Sequence, residues 1–167
     1  MIDLGTVRTL MDYTDWSNRR LLECASAMSD ELLDRDMQIG PGTMRRTMRH
    51  IYAGEYVWLR RWRSEVETKW IDEGVKLSVA QLGAEFEANI REREAFLARL
   101  FESDLARVQP YRDSKGNLFK ASLGDMLMQG VMHSKHHQAQ ACNILKRLGV
   151  TWPELDYMMR IRRASDV

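Results

Sequence analysis

Residues 122–149 read SLGDMLMQGVMHSKHHQAQACNILKRLG, and both the fold and the chemistry of the chain turn on this stretch. Ser122 with Asp125 three positions later is a capping pattern, and Gly149 stands where a helix ending at Leu148 needs its C′ residue. One long helix is predicted between them. On a wheel of about 100° per residue with His133 at the origin, Met126, Gly130, Ala141, Ile144 and Leu148 cluster between roughly 20° and 80°. His137 falls near 40°, roughly in the middle of this apolar stripe, and His133 lies at its edge. His136 lies at about −60°, turned well away.

Working outward, the same helical period recurs three times. Leu4 to Met28 carries Val7, Leu10, Met11, Thr14, Leu21, Leu22 and Ala25 at helical spacing. After a connection through Gly40-Pro41-Gly42, Thr43 reads as the N-cap of a second helix running to about Glu65. Met44, Met48, Ile51, Trp58, Leu59 and Trp62 share one of its faces. Ser78 and Gln81 form a capping box that opens a third helix, extending to about Phe101. Between Leu105 and Lys120 the texture changes, with Val108, Tyr111 and Phe119 around the turn-rich Asp113-Ser114-Lys115-Gly116-Asn117. That pattern predicts a short β-hairpin or an extended loop before the fourth helix. A further short helix is expected after Trp152-Pro153. The three prolines, Pro41, Pro110 and Pro153, all fall in connections. The expected fold is therefore an all-α four-helix bundle in one domain over residues 1–167.

Composition narrows the function by exclusion. With 44% hydrophobic and 29% charged residues and a formal net charge of +1, the chain is an ordinary globular one with no general preference for a polyanion. The arginine runs at Arg45, Arg46 and Arg49, at Arg60, Arg61 and Arg63, and at Arg160, Arg162 and Arg163 are read as solvated helix faces rather than a nucleic-acid surface. No apolar run is long enough for a membrane span and the first residues lack a signal-peptide pattern, so a cytoplasmic protein is expected. Cys24 and Cys142 are expected to be buried reduced thiols. The eleven methionines read as gap-fillers rather than ligands.

The four histidines are the chemical signal. Two imidazoles one turn apart on an apolar face need partners, because a buried polar group without one costs about 1–3 kcal/mol or more. A divalent metal satisfies both, and neutral imidazole suits zinc and nickel. The same i,i+4 spacing also occurs in helices that bind no metal. Two ligands make a poor site, and His50 is the remaining histidine that could supply a third. Its own wheel is ambiguous: it flanks the core stripe beside Thr47 and Gly54, a position that suits a cleft wall and equally the surface. Glu55 falls on the apolar face of the second helix. It is read as the partner of an arginine rather than as an acceptor for an imidazole N–H. Tyr13 and Trp16 are read as core aromatics, with a place along the cleft as the alternative.

The run His133-Ser134-Lys135-His136-His137-Gln138-Ala139-Gln140, followed by Leu145 to Gly149 and Trp152 to Asp156, resembles the C-terminal signature of the DinB/YfiT-like family. His50 to Trp58 resembles its middle motif, and Tyr13 to Asn18 its aromatic-rich start. The resemblance implies an up-down-down-up four-helix bundle, a homodimer, and a metal held by His50, His133 and His137. One departure stands out: where family members commonly show Arg-Gly-Gln, this chain has Gln138-Ala139-Gln140.

Three histidines leave a metal with open positions, the arrangement of catalytic rather than closed structural sites. The metal could activate water against an ester or amide, or stabilise a thiolate. The family implies the second: a transferase using a low-molecular-weight thiol, of the bacillithiol or mycothiol type, on small electrophiles. Its alternatives are a metal-dependent hydrolase of a small ester or amide, and a non-catalytic metal-binding stress-response protein. That last reading predicts no substrate-sized cleft beside the ion.

Overall fold

A computed structural model describes residues 2–163 of the chain, so Met1 and residues 164–167, at the ends of the expected domain, lie outside the described residues. The main helices are α1 (Leu4–Ser26), α3 (Met44–Trp62), α4 (Val79–Leu97) and α5 (Leu123–Arg147). Two short helices, α2 (Asp30–Leu33) and α6 (Tyr157–Ile161), lie in the connection after α1 and in the C-terminal tail. Of the two expected forms, hairpin or extended loop, the hairpin is found, as β1 (Val108–Arg112) and β2 (Leu118–Ser122), antiparallel with Pro110 opposite Lys120.

Local chemistry starts the helices where the side chains allow. Thr43 accepts from the Arg46 amide, Ser122 from that of Asp125, and Ser78 with Gln81 forms a reciprocal capping box. Gly149 follows α5 at φ +71°. The unforeseen α2 is a single turn capped by Ser29.

Side-chain pairs give the direction of each helix. Thr14 and Asn18 meet Gln138 while Ser17 meets Lys135, within a register in which α1 and α5 run parallel. Arg19 meets Glu87 and Asp15 meets Arg93, so α1 and α4 are antiparallel. Tyr52 meets Glu85 and Arg60 meets Glu92, so α3 and α4 are parallel. Trp62 bonds the Met126 carbonyl near one end, so α3 runs against α5. The order is up, down, down, up.

This topology has a consequence for the site. Because α3 and α4 run the same way, the chain between them must return along the full length of the bundle. Residues 63–78 make that return and carry Trp70 and Glu73 past the middle of α3.

α3 and α5 pack on one another, and glycines make room for the side chains between them. A Cβ on Gly54 would lie 2.1 Å from His133 Cε1, and one on Gly130 would lie 2.5 Å from the Trp62 ring. The core divides into two apolar clusters. One includes Val7, Met11, Leu59, Trp62, Leu123 and Leu127, and the other Leu21, Met44, Ile51, Phe86, Ile144 and Leu145. A fully buried polar layer of Asp15, Asn18, Glu55, Arg93, Ser134 and Gln138 lies between them.

Two expectations change here. The arginine runs are not uniformly solvated: Arg45, Arg49 and Arg61 are buried, because α3 packs on α4 and α5 and is covered by residues 63–78. Cys24 and Cys142 are free, as expected, but only half-buried. Among the described residues no helix is long and apolar enough to cross a membrane.

Candidate metal centre

The structure brings His50 of α3 together with His133 and His137 of α5. One ligand atom from each lies within 4.8 Å of the others, a group able to hold a metal ion. The ring centroids are 4.3 Å apart for His50 and His137, 4.6 Å for His133 and His137, and 5.2 Å for His50 and His133. His136 is exposed and outside the group.

The histidines sit differently from the wheel's expectation. All three are half-buried in the groove between α3 and α5, whereas Ser134 and Gln138, the next residues along α5, are fully buried. The reason is that α5 packs on α1 as well as α3. Its buried arc therefore extends from Met126 round to Val131, centred about 100° from His133. His133 lies just outside that arc and His137 just inside its edge, where a side chain can reach both the interior and a cleft.

Hydrogen bonds orient two of the rings. His50 Nδ1 lies 3.0 Å from both carboxylate oxygens of Glu73, which can only accept, so this nitrogen carries the proton and Nε2 is left with its lone pair. Trp70 Nε1 donates to the same carboxylate. Burial pushes the Glu73 carboxyl up, but these two donors outweigh it and hold it below the usual carboxylate range. At His137 the partner is Gln140. Its amide nitrogen lies 3.1 Å from His136 Nε2, so its oxygen, 2.8 Å from His137 Nδ1, accepts a hydrogen bond from the Nδ1–H of His137. His137 Nε2 is then also a free lone pair.

His133 has no such partner. Its ring lies over Gly54 with Nδ1 buried and without a hydrogen bond. Burial, with the neighbouring rings of His137 and His50, lowers its pKa from 6.5 to about 3. Burial likewise lowers that of His137. Neutral imidazoles, two with oriented lone pairs and one with an orphaned buried nitrogen, fit a divalent cation and would repel one another if protonated.

A pH dependence follows. In chelator-treated protein the unfolded chain takes up a proton at His133 below its ordinary pKa of 6.5, while the folded chain resists protonation down to about 3. This contribution to stability is present above the unfolded value and is lost as pH falls between the two. Urea midpoints measured between about pH 8 and pH 4 are expected to fall below roughly pH 6.5, and less so in His133→Asn. Equal slopes in both proteins would assign the effect to other groups.

The other candidates fall elsewhere. Glu55 accepts from Asn18 Nδ2 at 2.7 Å and Ser134 Oγ at 2.8 Å, with Arg93 Nη1 3.6 Å from its second oxygen. It pairs with an arginine and touches no histidine; Glu73 takes the imidazole-acceptor role. Gln138, at the departure from the family pattern, donates to Asn18 Oδ1 at 2.7 Å and to the Thr14 carbonyl at 3.1 Å. An arginine there would meet this buried layer, not the histidine cleft. Tyr13 bonds the Leu155 carbonyl and packs with Trp16 and Tyr157, away from the histidines.

A cleft of about 490 Å³ opens beside His133, bounded by Trp58, Arg61, Trp70, Tyr111 and Gln129. Most of these residues carried no chemical signal in the sequence. Gln129 is one turn before His133 on the same helix face, a signal that could have been read. Trp70 and Glu73 lie in an aperiodic connection that offers none.

Comparison with known proteins follows the same lines. Residues 1–166 match the DinB family. A DinB-like protein from Bacillus cereus has a similar structure, with a TM-score of 0.65 at 21% identity, covering 87% of this chain and 94% of that one. YfiT from Bacillus subtilis, described as a probable metal-dependent hydrolase with an unusual four-helix bundle topology, has a TM-score of 0.70 at 16% identity. That match covers 90% of this chain and 92% of YfiT. At these identities the likeness is one of fold. No curated protein matches the chain.

Proposed function

The chain belongs to the DinB family, and from that premise we propose that it is a metal-dependent enzyme whose ion is held by His50, His133 and His137. The observation that carries this reading is the pairing of the histidine cluster with an adjacent cleft of substrate size, about 490 Å³. A protein that only stores metal has no use for that cleft. A divalent ion at the cluster, zinc or nickel, would supply Lewis acidity that lowers the pKa of a nucleophile at neutral pH.

The chain's own residues have separable tasks. Glu73 and Gln140 hold His50 and His137 in the tautomer that leaves Nε2 free. Gly54 leaves the space that the His133 ring occupies against α3. Trp70 bridges the cluster and the cleft, its ring centroid 5.6 Å from that of His50. Trp58, Trp70 and Tyr111 give the cleft an apolar wall that excludes water from a bound small molecule.

The reaction we propose is transfer of a low-molecular-weight thiol of the bacillithiol or mycothiol type to a small electrophile, by a cytoplasmic homodimer. The likeness to YfiT supports a second reading, hydrolysis of a small ester or amide. Metal-loaded protein assayed with a chromogenic electrophile and with an activated ester, each with and without a small thiol, separates them. Conjugation that requires both thiol and metal is the expected result. Ester turnover without thiol would favour hydrolysis, and no metal-dependent turnover of either probe would count against catalysis.

A further inference from the structure

Arg61 is the penultimate residue of α3, in the wall of the cleft that also contains His133. It is only 6% exposed, yet no carboxylate lies within salt-bridge distance of it among the described residues. Its Nε is buried without a hydrogen-bond partner. Arg45 is paired with Asp30 and Asp34, and Arg93 with Asp15, whereas Arg49, like Arg61, has no carboxylate partner among the described residues and keeps Nε and Nη1 buried without hydrogen bonds. Arg49 reaches a backbone carbonyl 3.4 Å away, outside this cleft.

What holds the Arg61 guanidinium is aromatic. It stacks on Trp58, 4.7 Å from the ring centroid, and lies 5.5 Å from that of Tyr111. The hairpin bearing Tyr111 is fixed to the end of α3 by buried Gln109, which donates to the carbonyls of Arg61 and Trp62 at 2.8 and 3.0 Å. The guanidinium is therefore positioned before any ligand arrives.

The nearby acids do not neutralise it by contact. Asp113 attracts it electrostatically, but its two oxygens are committed to the Lys115 and Asn117 amides and the Asn117 side chain. Glu67 is paired with Arg112 at 2.9 Å. A buried charge with free donors, stacked on aromatic faces and facing a cleft, is incomplete without an anion.

We propose that Arg61 is an anion-anchoring residue, and that the small molecule bound beside the histidine cluster carries a carboxylate on an apolar or aromatic body. The aromatic walls suit such a body. Asp113 and Asp125, which also line the cleft, disfavour the second charge of a phosphate monoester. The identification of the ligand as a substrate rests on the proposed function; the anion site itself does not require the metal.

The test uses benzoate, phenyl phosphate and benzamide as probes, titrated calorimetrically into metal-loaded wild-type protein, Arg61→Gln, Arg61→Lys and His137→Ala. Benzoate is expected to bind wild type roughly tenfold or more tightly than benzamide, the scale of a charge-assisted hydrogen bond. Arg61→Gln is expected to abolish that preference, Arg61→Lys to keep part of it, and His137→Ala to keep it whether or not metal is lost. Equal binding of benzoate and benzamide to wild type would overturn the site, even if Arg61→Gln failed to fold. So would a preference that survives Arg61→Gln, or one that disappears only in His137→Ala, which would put the anion on the metal. Tighter binding of phenyl phosphate than benzoate would overturn the carboxylate assignment. Metal content of His137→Ala, measured alongside, reports on the metal centre independently.

Discussion

His137→Ala is expected to remove the metal. Purified wild-type protein should carry close to one divalent ion per chain, and the variant's affinity should fall more than about a hundredfold, since losing only a residue that hydrogen-bonds to a ligand costs about 10–100-fold. His137 is the central member of the cluster, with its ring closer to each of the others than they are to one another. Without it, one ring from α3 and one from α5 remain, too few to hold an ion against water. His136→Ala is the control, because that exposed ring touches the cluster only through Gln140 and the face of His137. The measurement is elemental analysis after dialysis, with thermal unfolding in the presence and absence of added zinc or nickel. Equal metal content in wild type and His137→Ala would remove the proposed centre. A greater loss in His136→Ala than in His137→Ala would reassign the ligands.

Arg93→Met is expected to cost about 3–5 kcal/mol of stability at neutral pH, the scale for leaving a buried charge without its partner. Arg93 is 2% exposed, bonds Asp15, and lies 3.6 Å from Glu55, and both carboxylates are themselves buried. Burial pushes the Asp15 and Glu55 carboxyls up, and Arg93 is the main influence opposing it. Removing Arg93 raises both further in the folded state. A raised folded pKa means stability that is present at low pH and lost as pH rises through that value. The deficit relative to wild type should therefore be largest near neutrality and shrink on acidification, as the carboxyls take up protons. His133 titrates in both proteins and cancels in the difference. Urea denaturation of the pair near pH 7 and about pH 5 checks the sign. A deficit that grows on acidification would show that Arg93 does not neutralise this layer.

The polar layer and the histidine cluster are adjacent along the same helices. Glu55 follows Gly54, Ser134 follows His133, and Gln138 follows His137. A buried, hydrogen-bonded layer fixes the rotation of α3 and α5 about their axes, and that rotation presents the histidines to the groove. A rigid support of this kind is what a metal centre requires of its scaffold.

How much of this was legible varies with the range of the interaction. Helix starts at Thr43, Ser78 and Ser122 were readable because a cap is a contact between residues three positions apart. The hairpin was readable from its turn residues. The pairing of His133 with His137 was readable because one turn of helix places them together. The up-down-down-up order and the place of His50 came from family resemblance, since the wheel left His50 between cleft and surface.

Several site residues were not legible, each for a physical reason. Glu73 and Trp70 sit in a connection without periodicity, and they reach His50 only because parallel α3 and α4 force the chain back along the bundle. Arg61 looked like one more surface charge in an arginine-rich run. Its burial depends on a hairpin folding back about fifty residues later in the chain. Glu55 was recognisably buried, but Arg93 as its partner was not, because pairing across helices depends on their relative rotation.

By itself, then, the sequence determined the helices, their caps and a two-histidine motif, all products of contacts within a turn or two of chain. Only the tertiary structure decided which face of α5 is buried, which carboxylate serves His50, and which arginine is left unpaired beside the cleft. Those choices depend on packing between segments far apart in sequence, where the periodicity of one helix carries no information about its neighbour.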